Sequence, residues 1–212
     1  MNDPSEPFSM AILAGGFGTR LGGDKASTEI AGKPLLHWMA EIVATLGNEL
    51  LVSRRVDQSL PSHPSIEWRE VPDRRADAGP LAGIEALLLA ARNDLVLAVA
   101  TDLPLARPEL LRFIVGACEG VDAAMPLLNG VAQPLMAAYR RSVLPVIQEQ
   151  LDEGDGRIRY IMPKLNGRHL AEAELSTYDP ALESFTNVNR PEDLARVAKI
   201  LEGRRRSAER ED

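Results

Sequence analysis

The stretch from residue 13 to residue 25, LAGGFGTRLGGDK, contains the residues best suited to chemistry on a phosphate. It follows an apolar run and holds five glycines within nine positions, at 15, 16, 18, 22 and 23. Glycine lets a backbone turn tightly and aim successive N–H groups at an anion. Arg20 and Lys25 add a planar and a compact positive charge to the same loop. The segment therefore predicts a polyphosphate-binding loop, with a mobile glycine-rich linker as the alternative.

Two commoner phosphate-binding motifs do not fit this loop. A Walker A loop places serine or threonine directly after its lysine, whereas Ala26 follows Lys25. The dinucleotide fingerprint G-x-G-x-x-G fails because Leu21 stands where its third glycine belongs. The sequence therefore favours a different class of nucleotide-binding loop.

Two carboxylates follow other predicted strands. The stretch 94–100, DLVLAVA, is typical of a buried central strand in a parallel sheet, and Asp102 comes just after it. A charge at that place is costly unless it is solvated or paired. Since Mg²⁺ is usually bound by one or two carboxylates together with phosphates, we predict that Asp102 binds Mg²⁺. The alternative is a turn or helix cap near Pro104. Asp73 follows the third predicted strand, where a turn-forming role is its alternative.

The elements that must position these groups alternate along the chain. Apolar spacing predicts strands at 10–14, 49–53, 66–71, 94–100, 121–126 and 133–139. Helices are predicted at 34–47, from 79 to about 91, and at 108–118, 140–151, 157–165 and 190–202. This alternation predicts an α/β fold with a doubly wound, mostly parallel sheet. Because such sheets bind ligands at the carboxyl ends of their strands, the glycine loop, residues 53–55, Asp73 and residues 101–102 should share one crevice.

The length of 212 residues suits a single domain with a substantial core. We predict a disordered N-terminus at residues 1–8, a folded domain at 9–202 and a solvated, charged tail at 203–212. The mixed-charge run GRRRSAERED is the reason for the last boundary.

Composition excludes several classes of function. The net charge of −7 leaves no broad basic surface for nucleic acid, so positive charge for an anionic substrate must be local. Cys118 is the only cysteine, which excludes an intrachain disulfide. His37, His63 and His169 show no ligand spacing, so no zinc or iron site is expected. The sequence also contains no apolar run of membrane-spanning length and no signal peptide, which predicts a cytoplasmic protein without membrane contact.

Four ordered motifs resemble those of MobA-type molybdenum cofactor guanylyltransferases. They are L-A-G-G-x-G-x-R-x-G-G-x-K, G-P-L-A-G, T-D-L-P and N-V-N-R-P-E-D-L, and the resemblance covers about residues 9–201. It implies a Rossmann-like nucleotidyltransferase fold, with about 9–120 binding the nucleotide and about 121–202 binding the acceptor. The implied reaction transfers GMP from GTP to the terminal phosphate of molybdopterin and releases pyrophosphate. GTP, molybdopterin and transiently bound cofactor-delivery or acceptor proteins would then be the partners.

The resemblance also implies roles for individual residues. Arg20, Lys25 and Asp102 would be catalytic, with Mg²⁺ held by Asp102. The nucleotide would contact Leu13, Ala14, Gly15, Gly16, Gly18, Lys25, Ser53, Asp73, Gly79, Gly83 and Asp102. Within this set, the N–H groups of residues 14–18 would neutralise the triphosphate, and Asp73 would meet the guanine edge or the ribose. The acceptor would contact Gln133, Asn187 and Asn189.

Several alternatives stay open at this point. Ser53 stands where many family members have asparagine, and Thr101 stands where cysteine is usual. Asn189 is also a good N-cap for the last helix. Arg157 and Arg159 could meet the acceptor phosphate or be solvated surface charges. For the whole chain, the alternatives are a nucleotidyltransferase that uses CTP or a sugar phosphate, and a non-catalytic GTP-binding homologue.

Overall fold

The computed structural model describes residues 4, 6–18, 21, 23–75 and 78–208. Arg20, which the resemblance implies to be catalytic, lies outside the described residues. Asp77, a second carboxylate that could serve the same loop as Asp73, also lies outside the described residues.

The strands form one main sheet and two small hairpins. In chain order they are β1 (Phe8–Leu13), β2 (Phe17–Gly18), β3 (Gly23–Asp24), β4 (Glu29–Ile30), β5 (Lys33–Pro34), β6 (Leu50–Arg54), β7 (Arg69–Pro72), β8 (Leu95–Ala100), β9 (Ala123–Leu128), β10 (Val131–Ala132), β11 (Met136–Arg140) and β12 (Gly167–Leu170). The main sheet has the order β10-β9-β11-β8-β1-β6-β7, and β12 pairs with β9. The pairs β1–β6, β1–β8, β6–β7 and β9–β12 are parallel, whereas β11 is antiparallel to both neighbours. The predicted mostly parallel sheet is confirmed.

Helices cover both faces of this sheet. They are α1 (Leu35–Val43), α2 (Gly79–Ala90), α3 (Pro108–Gly116), α4 (Leu144–Asp152), α5 (Glu172–Leu175) and α6 (Pro191–Ala208). Buried residues of α1, α3 and α5 join one core cluster, and those of α2 and α4 join another. A third cluster packs α6 against the β4–β5 hairpin. The doubly wound architecture predicted from the alternation is therefore confirmed.

The central strands are apolar throughout because helices lie on both sides of them. In β8, Leu95, Leu97 and Val99 belong to one core cluster. Val96 and Ala98 point to the other face and join the second cluster. This division follows from the two-residue repeat of a strand. A sheet covered on both faces needs no polar alternation, which explains the continuous apolar run of this strand.

Both predicted terminal boundaries need correction. Phe8 begins β1 and is 8% exposed, and Glu6 forms an ion pair with Arg140. The disordered N-terminus predicted at 1–8 is therefore wrong for residues 6–8. At the other end, α6 continues to Ala208, and Arg204 donates to the carbonyl of Leu105 and to Glu183. The charged tail predicted from residue 203 is thus helical for its first six residues.

The helix predicted at 157–165 is also wrong. Two short 3-10 turns, Ile158–Tyr160 and Met162–Lys164, occupy this segment. Pro163 supplies no N–H group and clashes with the preceding turn, which disfavours a continuous helix there. The strand β12, which follows directly, was not predicted. Its single buried residue among polar neighbours gives a weak strand pattern.

Other predicted elements are present with shifted ends. The helix predicted at 34–47 ends at Val43, and the one predicted at 140–151 begins with a 3-10 turn, Arg141–Val143. The strand predicted at 133–139 starts only at Met136, whose N–H donates to the carbonyl of Gln133 in a turn. None of the described helices combines the length and apolar character needed to cross a bilayer.

A close contact fixes the start of α2 against a turn from the second half of the chain. A Cβ atom at Gly156 would lie 1.9 Å from the carbonyl oxygen of Ala78. Gly156→Ala must therefore displace backbone, and we expect it to lower the free energy of unfolding by about 1–3 kcal/mol. Thermal unfolding measures this as a Tm roughly 3–10 °C lower.

Gly203→Ala is the matched control because a Cβ there meets nothing within 4 Å in α6. This helical replacement should raise stability by about 0.5–1 kcal/mol. An unchanged Tm in Gly156→Ala would contradict the close contact at Ala78.

Candidate active site

The carboxyl ends of the parallel strands β1, β6, β7 and β8 meet at one edge of the sheet. Their register sets Leu13 level with Ser53 and Ala100, and Ser53 level with Val71. The segments that leave these strands enclose a cavity of about 400 Å³. Of the residues proposed for the nucleotide, the cavity is lined by Leu13, Ala14, Gly15, Gly16, Lys25, Ser53, Asp73, Gly79, Gly83 and Asp102. The crevice expected from the strand order is therefore present.

The glycine loop offers its N–H groups unequally. The N–H of Ala14 donates to the carbonyl of Ser53, 3.1 Å away, so it is not available to a phosphate as expected. No hydrogen bond within the described part of the chain uses the N–H of Gly15 or Gly16. Gly18 lies in the β2–β3 hairpin, opposite Gly23. Gly15 and Gly16 thus keep N–H groups that can donate to a phosphate.

Lys25 brings three distant segments together. Its Nζ lies 2.6 Å from Oδ2 of Asp102 and 2.7 Å from Oδ1 of Asn189. Lys25 begins a 3-10 turn whose N-cap is Asp24, and the Asp24 side chain accepts from the N–H of Ala26. The ammonium group therefore joins the glycine loop, the end of β8 and the segment before α6.

Asp102 carries an unsatisfied carboxylate oxygen beside the cavity. The residue is 8% exposed, and its Oδ1 is buried without a hydrogen-bond partner among the described residues. It does not cap a helix, because the next helix begins at Pro108 with Arg107 as its N-cap. A buried polar atom left without a partner costs about 1–3 kcal/mol, so this oxygen is suited to a bound cation.

Asn189 does not use its side chain as the N-cap of α6. Instead, Oδ2 of Asp193 accepts from the N–H groups of Asn189 and Arg190, and these bonds lower the pKa of Asp193. Val188 is fully buried, as its position between two asparagines predicts, and its N–H donates to the carbonyl of Asp102. The amide of Asn189 is thereby free to face Lys25.

Asp73 lies beside Gly15 and Gly83 in a low-dielectric part of the cavity. Burial raises the pKa of its carboxyl to about 6, and the nearby Arg55 guanidinium opposes that rise. Oδ1 of Asp73 is buried and has no hydrogen-bond partner in the described residues. A Cβ at Gly83 would lie 3.3 Å from Oγ of Ser53 and 3.6 Å from Oδ1 of Asp73, so glycine allows α2 to approach closely.

Several cavity residues were not predicted individually. Thr101 donates its hydroxyl to the carbonyl of Leu13 at 2.6 Å and so ties β8 to the start of the loop. Arg75 lines the cavity and pairs with buried Glu85 in α2 and with Asp152 in α4. Leu135 adds an apolar wall. Thr101 belongs to the T-D-L-P motif, but its tie to Leu13 has no sequence signal, and Arg75 is identified only by its place in the fold.

The residues proposed for the acceptor are not all gathered here. Gln133 donates to the carbonyl of Val131 and does not line the cavity. Asn187 is exposed and does not line the cavity either. Arg157 pairs with Asp155 two residues away and lies over the ring of Tyr160. The side chain of Arg159 lies outside the described residues. Among the proposed acceptor contacts, Asn189 alone touches a cavity-lining side chain within the described range.

Comparisons with known proteins agree with this architecture. The family described as MobA-like NTP transferase domain matches residues 10–173. A probable molybdenum cofactor guanylyltransferase of Pelotomaculum thermopropionicum is 31% identical over 92% of this chain and 93% of its own length. The molybdenum cofactor guanylyltransferase of Pseudomonas putida is 33% identical over 91% of this chain and 100% of its own.

A solved structure extends the likeness to three dimensions. The crystal structure of molybdopterin-guanine dinucleotide biosynthesis protein A from Archaeoglobus fulgidus superposes with a TM-score of 0.79 and 26% identity. That match covers 92% of this chain and 99% of the other. With its glycine loop, strand-end carboxylates and sheet order, the chain belongs to the MobA-like NTP transferase family.

Proposed function

We propose that this protein transfers GMP from GTP to the terminal phosphate of molybdopterin and releases pyrophosphate. The observation that carries the proposal is the contact of Lys25 with Asp102 beside Gly15 and Gly16, in one cavity at the strand ends. The related proteins that bear the name molybdenum cofactor guanylyltransferase supply the identity of the nucleotide and the acceptor.

The chain's own contribution to such a transfer is to position the groups and to neutralise charge. The N–H groups of Gly15 and Gly16 and the ammonium of Lys25 offer positive charge to the phosphates. The acceptor is already an ionised phosphate, so no general base is required.

Asp102 fits a role as the ligand of Mg²⁺. Proteins usually bind Mg²⁺ through one or two carboxylates together with phosphate oxygens of the substrate. Asp102 offers such a carboxylate, with one buried oxygen that has no hydrogen-bond partner among the described residues. When bound, the ion would stabilise negative charge on the transferred phosphate and on the leaving pyrophosphate. With a cation on Asp102, the ammonium of Lys25 becomes available to the phosphates.

Asp73 is our candidate for the contact to the base. Guanine presents adjacent N–H donors on one edge, and an ionised carboxylate accepts from both. The buried, unpartnered Oδ1 beside the cavity supports this assignment.

On the acceptor side, Asn189 links its segment to Lys25 directly. Binding of an acceptor at this segment would therefore change the contacts of Lys25, which neutralises charge on the triphosphate. Contacts of the acceptor with Gln133 and Asn187 stay predictions.

Pyrophosphate release tests the function when each of GTP, CTP, ATP and UTP is supplied with Mg²⁺, with and without molybdopterin. We expect release with GTP and only in the presence of molybdopterin. Release with CTP instead would contradict the choice of base, and GTP binding without any release would indicate a non-catalytic homologue.

Removing either member of the Lys25–Asp102 pair should slow turnover without unfolding the protein. Loss of one preorganised charge typically costs roughly 10²–10³ in kcat, and we expect that loss in Lys25→Ala and in Asp102→Asn. Steady-state pyrophosphate release measures the effect, and circular dichroism checks the fold.

Lys164→Ala is the control for charge removal because Lys164 is exposed and does not line the cavity. Near-normal turnover in both site variants would refute this site.

The pKa of Asp73 predicts a pH dependence of GTP binding. With a pKa of about 6, the carboxyl is ionised at pH 7.5 and mostly protonated at pH 5. If only the carboxylate accepts from guanine, the Kd for GTP should rise about tenfold between these pH values. Calorimetric titration of GTP across the range measures this change.

Asp73→Asn serves as the control because residue 73 cannot titrate in this variant. The pH profile of its Kd for GTP reports only the other titrating groups, including those of GTP itself. The raised pKa means that the folded protein binds this proton more tightly than the unfolded chain does. Stability therefore falls as the pH rises from about 4 through 6, and Asp73→Asn should unfold at a higher temperature than wild type at pH 7.5. Identical pH profiles of GTP affinity in both proteins would exclude Asp73 as the base contact.

A further inference from the structure

A buried glutamine lies behind the glycine loop, on a turn that no family motif marks. Gln58 is 6% exposed and belongs to the segment after β6. Its Nε2 donates to the carbonyl of Ala14 and to Oδ1 of Asp24, each at 2.8 Å. Its Oε1 accepts from the N–H of Arg55 at 3.1 Å. Both amide hydrogens and the amide oxygen of this side chain are thus used.

The same turn holds the next carbonyl of the loop as well. Nη1 of Arg55 donates to the carbonyl of Gly15 at 2.8 Å. Two consecutive carbonyls, those of Ala14 and Gly15, are therefore drawn to one side. In an extended strand, consecutive carbonyls would point to opposite sides.

This arrangement fixes the direction of the N–H groups that follow. In a planar trans peptide, the N–H points opposite to the carbonyl of the preceding residue. The N–H groups of Gly15 and Gly16 consequently both face away from the 55–58 turn. Both glycines line the cavity, and neither N–H is used within the described chain.

Gln58 also reaches the far end of the loop. Oδ1 of Asp24, which accepts from Gln58, also accepts from the N–H of Ala26 and caps the turn that begins with Lys25. One amide group thus connects the first residue after β1 with the residue that precedes Lys25. The two ends of the loop cannot separate without breaking one of these bonds.

We propose that Gln58, assisted by Arg55, is a positioning residue that orients the N–H groups of Gly15 and Gly16 and the turn of Lys25 toward the nucleotide phosphates. The proposal rests on the proposed binding of GTP. Gln58 itself touches the loop from behind and acts only through it.

Gln58→Met tests this role because methionine has a similar volume and no hydrogen-bond donor. Calorimetric titration with GTP and with guanosine, both with Mg²⁺, separates binding of the phosphates from binding of the nucleoside. We expect the Kd for GTP to rise roughly ten- to hundredfold, because misdirected N–H groups lose charge-assisted bonds. The Kd for guanosine should stay within about twofold, since its binding does not use the phosphate loop.

Two further variants complete the experiment. Arg55→Met releases the carbonyl of Gly15 and also removes a cation from the cavity lining, so it should weaken GTP binding more than guanosine binding, and it keeps the proposal testable if Gln58→Met does not fold. Asn93→Ala is the matched control, since the Asn93 amide donates to Ser9 near the amino end of β1, whereas the cavity lies at the carboxyl ends of the strands. That variant should bind GTP and guanosine as wild type does.

The outcomes distinguish this inference from the proposed function. Unchanged GTP binding in Gln58→Met, or an equal loss for GTP and guanosine, overturns the positioning role and leaves a structural one. If the wild-type protein binds no GTP at all, the proposed function itself fails.

Discussion

One ammonium group joins the parts of this molecule that its chemistry requires. Nζ of Lys25 contacts a carboxylate 77 positions away and an amide 164 positions away along the chain. Such a meeting is possible only because β1 and β8 are parallel neighbours whose carboxyl ends share one edge. The backbone repeats the connection, since the N–H of Val188 binds the carbonyl of Asp102. The strand order of the sheet therefore brings the residues of the site together.

Local charge balance reconciles the acidic chain with an anionic substrate. The protein has a net charge of −7, yet its cavity is lined by Lys25, Arg55 and Arg75. Each of these cations already lies against a carboxylate, as in the pairs of Lys25 with Asp102 and of Arg75 with Glu85. Pairing holds each cation in place and offsets part of the cost of removing it from water. An incoming phosphate then meets fixed charges, which is the arrangement that reduces reorganisation during a transfer.

The sequence allowed the sheet, its layers and the strand-end carboxylates to be predicted, because each leaves a local pattern. Continuous apolar runs marked β1 and β8, and polar residues at their ends marked the crevice. Gln58 left no such pattern, since its proposed role depends on the carbonyl of Ala14 and the carboxylate of Asp24, which only the folded chain brings near it. The expected capping role of Asn189 was wrong for a similar reason. Because α6 begins at Pro191, Asp193 accepts from the N–H groups before the helix, and the side chain of Asn189 accepts from Lys25 instead.

The antiparallel strand β11 has a consequence for how the chain folds as it is made. It lies between β8 and β9, so the central strand gains its second neighbour only when residues 136–140 have been synthesised. Until then, one side of this apolar strand presents unpaired backbone N–H and C=O groups. The centre of the sheet is thus complete only after β11 has been synthesised. Because an unpaired edge strand can pair with other chains, docking of β11 on β8 also protects the new protein from aggregation.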